Sequence, residues 1–121
     1  MSSLTEWTEE ELESVGEADE LELTTSGRAV TIWVVRAGDE LYIRSYRGQN
    51  GRWFHRAQKT HRAHISAGGI SRDVALVATD AANDAVDAAY QTKYGRYGGR
   101  YVDPMIASDA RATTLKLVPA A

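Results

Sequence analysis

The chain has 121 residues, 43% of them hydrophobic, with no cysteine and a net charge of −3. Those numbers predict one globular domain with a real core and exclude a disulfide framework, thiol catalysis and cysteine-ligated metal. No apolar run approaches the length of a membrane span, and the acidic start MSSLTEWTEEELESVGEADE lacks the basic and apolar regions of a signal peptide, so the expectation is a cytoplasmic protein without membrane contact.

The small net charge hides an asymmetry. Met1 to Gly27 carries only acidic charges, from Glu6 to Glu22. Arg28 to Arg72 is basic, interrupted only by Asp39 and Glu40. A basic middle attracts anions.

Along the chain, Thr8 and Glu11 have capping-box spacing and open a short helix from Trp7 to Val15, closed by Gly16. Leu21 and Leu23 alternate with acidic residues as a half-buried strand does. Thr25-Ser26-Gly27-Arg28 is a turn, and the β-branched run Ala29 to Arg36 is a second strand. A tight loop over Ala37–Glu40 leads to a return strand, Leu41 to Tyr46, with Tyr42, Arg44 and Tyr46 on one face. After the loop Gly48–Gly51 comes a helical turn from Trp53 to Lys59. His64–Ala67 and Ile70–Thr79 form a hairpin across Gly68-Gly69. The clearest helix is Asp80 to Tyr94, with Asp80 as N-cap and Gly95 at the stop position. GRYGGRYV reads as a glycine-rich loop, either a lid or a simple connection. Asp103-Pro104 starts a short helix and Arg111–Val118 is the last strand. This order predicts an α+β fold, a small barrel or curled sheet of about six antiparallel strands with short helices at its rim.

The densest chemistry lies in YIRSYRGQNGRWFHRA, residues 42–57. A strand opens there into a glycine loop, which frees backbone N–H groups for an anion. Arg44, Arg47, Arg52 and Arg56 supply charged donors. Trp33, Trp53 and Phe54 supply a flat apolar wall. One competing reading makes Arg44 and Tyr46 a solvated face, Trp53 a core plug and the loop only a hairpin end, and another makes the stretch a dimer surface. His55, His61 and His64 match no common metal spacing, so no metal is expected. His55 is the candidate proton donor. Arginines interleaved with aromatics also suit nucleic acid, but the acidic pI near 5.6 and the absence of a known motif argue against it. No nucleophile stands out: Ser45 has no histidine or acid at a diagnostic spacing. Tyr94 is the candidate phenol of a pocket.

Tyr42-Ile43-Arg44-Ser45, Gly51-x-Trp53, Tyr90-x-x-Lys93-Tyr94 and Thr113-Thr114-Leu115 resemble the bacterial family called domain of unknown function 2255, from about Leu21 to Pro119. That family is grouped with the FMN-binding split β-barrels. The resemblance implies a single split-barrel domain over residues 1–121 with an acidic helical segment over about 1–19. A finer similarity joins Thr24-Thr25-Ser26-Gly27-Arg28, Ser45–Gly48 and Trp53–Ala57 to deazaflavin-dependent nitroreductases, whose matching segments hold the cofactor's phosphate and ring. Arg56 stands where those proteins carry Asn. The resemblance implies an FMN or deazaflavin cofactor held by Arg28, Arg44, Ser45, Arg47, Gly48, Trp53, Phe54, His55 and Tyr94. Its function would be oxidoreductase chemistry by hydride transfer on a small molecule, in a homodimer. The alternative is a non-enzymatic dimeric binding protein that has the barrel but no cofactor.

Overall fold

The computed structural model describes residues 6–120. A helix α1 (Glu9–Glu17) precedes strands β1 (Leu21–Thr25), β2 (Arg28–Ile32), β3 (Val35–Ala37) and β4 (Glu40–Ile43). A 3-10 turn (Gly48–Asn50) leads into α2 (Arg52–Thr60), then β5 (Arg62–Ala67), β6 (Ile70–Ala78) and α3 (Asn83–Tyr94). Another 3-10 turn (Gly95–Tyr97), α4 (Gly99–Ile106), α5 (Ser108–Arg111) and β7 (Leu115–Pro119) complete the chain. The described strands form one seven-stranded antiparallel sheet, ordered β2-β1-β5-β6-β7-β4-β3. It curls as a split barrel, with one strand more than the sequence suggests.

The extra strand comes from a break. The run Ala29–Arg36 is not one strand but two, bent at Trp33-Val34. β2 pairs with β1 at one end of the sheet and β3 pairs with β4 at the other. The bend therefore carries the chain from one sheet edge to the other. Its backbone groups are satisfied by α3 rather than by a ladder: Val34 N–H donates to the Tyr94 hydroxyl at 3.3 Å, and the Val34 carbonyl accepts from Lys93 Nζ at 2.7 Å.

The concave side buries Leu21, Leu23, Leu41, Ile43, Ile65 and Leu117, with Leu12 and Val15 of α1 and Phe54 of α2 packed among them. The capping box forms as expected: Thr8 Oγ1 accepts from the Glu11 N–H at 3.1 Å, and Glu11 returns the bond to the Thr8 N–H at 2.9 Å. Gly16 does not end this helix. It lets Arg36 pass, since a Cβ there would stand 3.0 Å from Arg36 Cβ. Part of the acidic segment pairs with the basic middle, Glu9 with Arg36 at 3.0 Å and Glu11 with Arg72 at 3.1 Å.

A second cluster covers the other face of β3 and β4: Val35, Tyr42, Val86, Tyr90, Tyr94, Val102 and Met105. Three expectations change here. α3 starts at Asn83 behind Ala82, without a side-chain cap, so Asp80 is no N-cap. GRYGGRYV is helical, because Val102 and Met105 bury against the tyrosines of α3, and Pro104 lies inside α4 rather than opening a helix. β7 begins only at Leu115, because α5 occupies Ser108–Arg111 and the Thr113 and Thr114 hydroxyls bond neighbouring groups.

Candidate functional site

Strands β3 and β4 are in register at Val35↔Tyr42 and Arg36↔Leu41. Continued past the bend, that register would set Trp33 opposite Arg44 and Thr31 opposite Tyr46. Those rungs do not form. β4 stops at Ile43, and two residues on the Ser45 N–H is taken by Thr113 Oγ1 at 2.9 Å. β2 and residues 44–47 therefore splay apart, and the split between them is the candidate site.

The split has two joined compartments. One is a groove of about 660 Å³ between β2 and the start of α2, reached by Arg28, Ser45, Arg47, Arg52 and Arg56. The other is a smaller, mostly apolar pocket of about 210 Å³ lined by Ile32, Trp33, Arg44, Tyr46, Trp53, Tyr101 and Met105. Thr31, Ile32, Tyr46 and Trp53 belong to both.

The groove is built for negative charge. Arg28, Arg47 and Arg52 are exposed and have no hydrogen bond or ion pair among the described residues. Arg56 is half-buried and gives its Nε to Thr25 Oγ1 at 3.1 Å. Among the described residues, no carboxylate lines the groove. α2 begins there at Gly51 with no side-chain cap and no acid in its first turn. Its first backbone bond is His55 N–H to the Gly51 carbonyl at 3.1 Å, so the amides of Arg52, Trp53 and Phe54 remain for a ligand. Beneath them lies Ser45 Oγ, which is buried and has no hydrogen-bond partner among the described residues. An orphaned buried hydroxyl costs stability unless a ligand or water answers it. Gly51 keeps this corner open, since a Cβ there would collide with Ser45 Oγ. The aromatic compartment rests on a rigid floor. Trp33 stacks on Tyr94 at 3.9 Å and 1°, and Tyr46 and Tyr101 stand 59% and 51% exposed at its rim.

Of the residues expected at the site, Arg28, Ser45, Arg47 and Trp53 meet in the split. Arg44 also borders the smaller compartment, with its charged end directed away from it, and the remaining four lie elsewhere. Arg44 turns inward: its side chain is fully buried, bonded to Asp87 at 2.5 Å, Thr114 Oγ1 at 2.9 Å and the Met105 carbonyl at 2.9 Å. Its donors are spent within the protein, so it is no phosphate ligand. Gly48 has φ 64° and sits against Asp109, shaping the 3-10 turn rather than lining the groove. Phe54 belongs to the core, edge-on to Trp53 at 6.0 Å. His55 is exposed on α2 outside both compartments. Tyr94 lies under Trp33, its hydroxyl held by Val34 and Asp19, and burial pushes that phenol up from its ordinary pKa. Burial also lowers the neighbouring Lys93 amine to about 8. Arg52, Arg56 and Trp33 carried a signal in the sequence as charge and aromatic clusters. Tyr101 carried one only as part of the possible lid GRYGGRYV, and Thr31 and Ile32 carried none, because the bend brings them there. Among the described residues, no group of three histidines or acids stands close enough to hold a metal, and no helix is long and apolar enough to cross a membrane.

Residues 11–117 match the family described as uncharacterized protein conserved in bacteria, domain of unknown function 2255, and the chain belongs to that family. Among solved structures, the chain is similar to one described as an F420 reductase, at 20% identity and a TM-score of 0.54, over 90% of this chain and 93% of that one. That likeness shows the fold. No curated protein matches the chain.

Proposed function

We propose that the chain binds a flavin or deazaflavin cofactor in the split, with the anionic end in the groove and the ring in the aromatic compartment. The observation that carries this reading is the buried, unpartnered Ser45 hydroxyl beneath three free helix amides and three unpaired arginines. Such a corner fits a phosphate: charge-assisted donors from Arg28, Arg47 and Arg52, neutral donors from the amides, and a hydroxyl below. Trp33, Tyr46, Trp53 and Tyr101 offer faces and edges to a flat ring, and a groove of about 660 Å³ joined to a pocket of about 210 Å³ is of cofactor size. The resemblance to an F420 reductase points to the same ligand class. When bound, the cofactor would supply hydride-transfer chemistry. The protein's own part would be to orient the ring, neutralise the phosphate and keep water from the ring face. The protein would then be an oxidoreductase acting on a small molecule.

The exposed Tyr46, Tyr97 and Tyr101 beside free arginines favour a second reading, a homodimeric interaction protein without cofactor. Titration of the purified protein with FMN and with the deazaflavin, followed by ligand fluorescence, separates the two. Cofactor binding predicts saturation, with affinity falling about tenfold in Arg47→Ala and again in Arg52→Ala. No saturation with either ligand, together with a dimer that dissociates in the same variants, would replace it with the second reading.

A further inference from the structure

The outer face of the β5–β6 hairpin carries a second constellation that the split does not use. His64 on β5 lies directly opposite Asp73 on β6, and Ser71 is its diagonal neighbour on the same face. His64 Nδ1 stands 2.7 Å from Asp73 Oδ1, and His64 Nε2 stands 2.6 Å from Ser71 Oγ. One neutral tautomer satisfies both contacts: Nδ1–H donates to the carboxylate, and Nε2 accepts the serine proton. This is the geometry of an activated nucleophile, with hydroxyl, base and orienting acid linked in series.

A fourth component follows from the ladder. Gly68 and Gly69 form a two-residue turn with φ 56° and 83°, so the flanking pair Ala67 and Ile70 exchange hydrogen bonds. Alternation then turns the backbone groups of Ser71 and Asp73 away from β5. The Asp73 carbonyl confirms the parity, since it accepts from Ala120 N–H at 2.9 Å on the β7 side. β7 pairs with β6 only from Val74 onward. The Ser71 N–H therefore faces an open sheet edge with no partner among the described residues. A nucleophile's own unpaired amide is a donor for the oxyanion of acyl transfer.

We propose that Ser71 is an activated nucleophile, taking acyl groups from small, activated esters at the sheet edge. Ser71 Oγ bonds the acyl carbon as its proton passes to His64 Nε2. The ester C–O bond then breaks, and the departing alkoxide recovers that proton. Asp73 holds the imidazole in the required tautomer. Water repeats the cycle to free the serine. The constellation lies on an exposed face, with His64 side chain 47% exposed, so leaving groups have free access and little selectivity.

The test uses the intact protein and an alkyl fluorophosphonate, which traps such serines: the O–P bond forms, the P–F bond breaks and the proton leaves with fluoride. Adducts are mapped by peptide mass spectrometry in wild type, Ser71→Ala, His64→Gln and Asp73→Asn. Circular dichroism checks that each variant keeps the fold. The expected result is a single adduct on Ser71, formed about 100-fold more slowly in His64→Gln, as loss of a general base requires, and more slowly in Asp73→Asn. Modification confined to tyrosines, or equal Ser71 labelling in wild type and His64→Gln, overturns the proposal. Neither outcome bears on the split, which these residues do not line.

Discussion

Replacing Arg44 by Met should unfold the protein more readily while leaving its ligand affinity alone. The guanidinium lies at 0% side-chain exposure and makes bonds to Thr114, Asp87, Met105 and Asn83. Met fills much of the volume but answers none of these acceptors. Asp87, itself 23% exposed, loses the partner at 2.5 Å and keeps only Arg111, whose Nε stands 3.2 Å away. Removing one member of a buried pair costs about 3–5 kcal/mol. Asp87 retains some water, so the lower end applies, about 3 kcal/mol. For a chain of this size that lowers Tm by roughly 12 °C. Urea unfolding followed by tryptophan fluorescence measures the loss, and cofactor titration well below the transition measures affinity. Asp87→Ala should lose a similar amount, and Arg44→Met/Asp87→Leu should recover part of it. An Arg44→Met protein within about 1 kcal/mol of wild type, but with affinity reduced as in Arg47→Ala, would refute the assignment and return Arg44 to the ligand site.

Two further outcomes are expected. Gly51→Ala has no backbone penalty at φ −65°, yet its Cβ meets Ser45 Oγ, so stability should fall by about 1–3 kcal/mol in chemical denaturation. Ser45→Ala/Gly51→Ala should regain most of that loss, and a Gly51→Ala protein as stable as wild type would contradict the packing. Lys93 binds its proton less tightly folded, at about 8, than at its ordinary 10.5. Between those values the unfolded chain holds more protons, so this group makes stability rise with pH. Wild type should therefore gain on Lys93→Met in Tm between pH 8 and pH 10. Parallel curves for the two proteins would show the amine to be solvated.

Much of the fold was legible because its signals are local. Ser26-Gly27 and Gly68-Gly69 announce two-residue turns, and Thr8 with Glu11 announces a helix start. What escaped is set by distant partners. Nothing in the β-branched run Ala29–Arg36 marks the bend, because its backbone groups are answered by Tyr94 and Lys93, about 60 residues away. The alternation placed Arg44 on the face opposite Leu41 and Ile43, as it is. The sequence does not say that α3 and α4 cover that face, so a residue read as an open cation became a buried one. Glycines in GRYGGRYV suggested a loop, but burial of Val102 and Met105 outweighed their low helix propensity. Of the candidate site, the arginines and Trp53 were visible as a cluster. The unanswered Ser45 hydroxyl was not, since a missing partner leaves no mark in a sequence. The same holds for His64, Ser71 and Asp73, which only the strand register brings together.

The bend at Trp33-Val34 is the point where α3 reaches the split. The split's two walls, β2 and residues 44–47, lie on either side of a bend whose Val34 hydrogen bonds come from α3. The jaws are thus set from behind, by a helix that lines neither compartment. Moving α3 along its axis would carry Trp33, stacked on Tyr94, with it, so the width of the split is tied to a helix outside it.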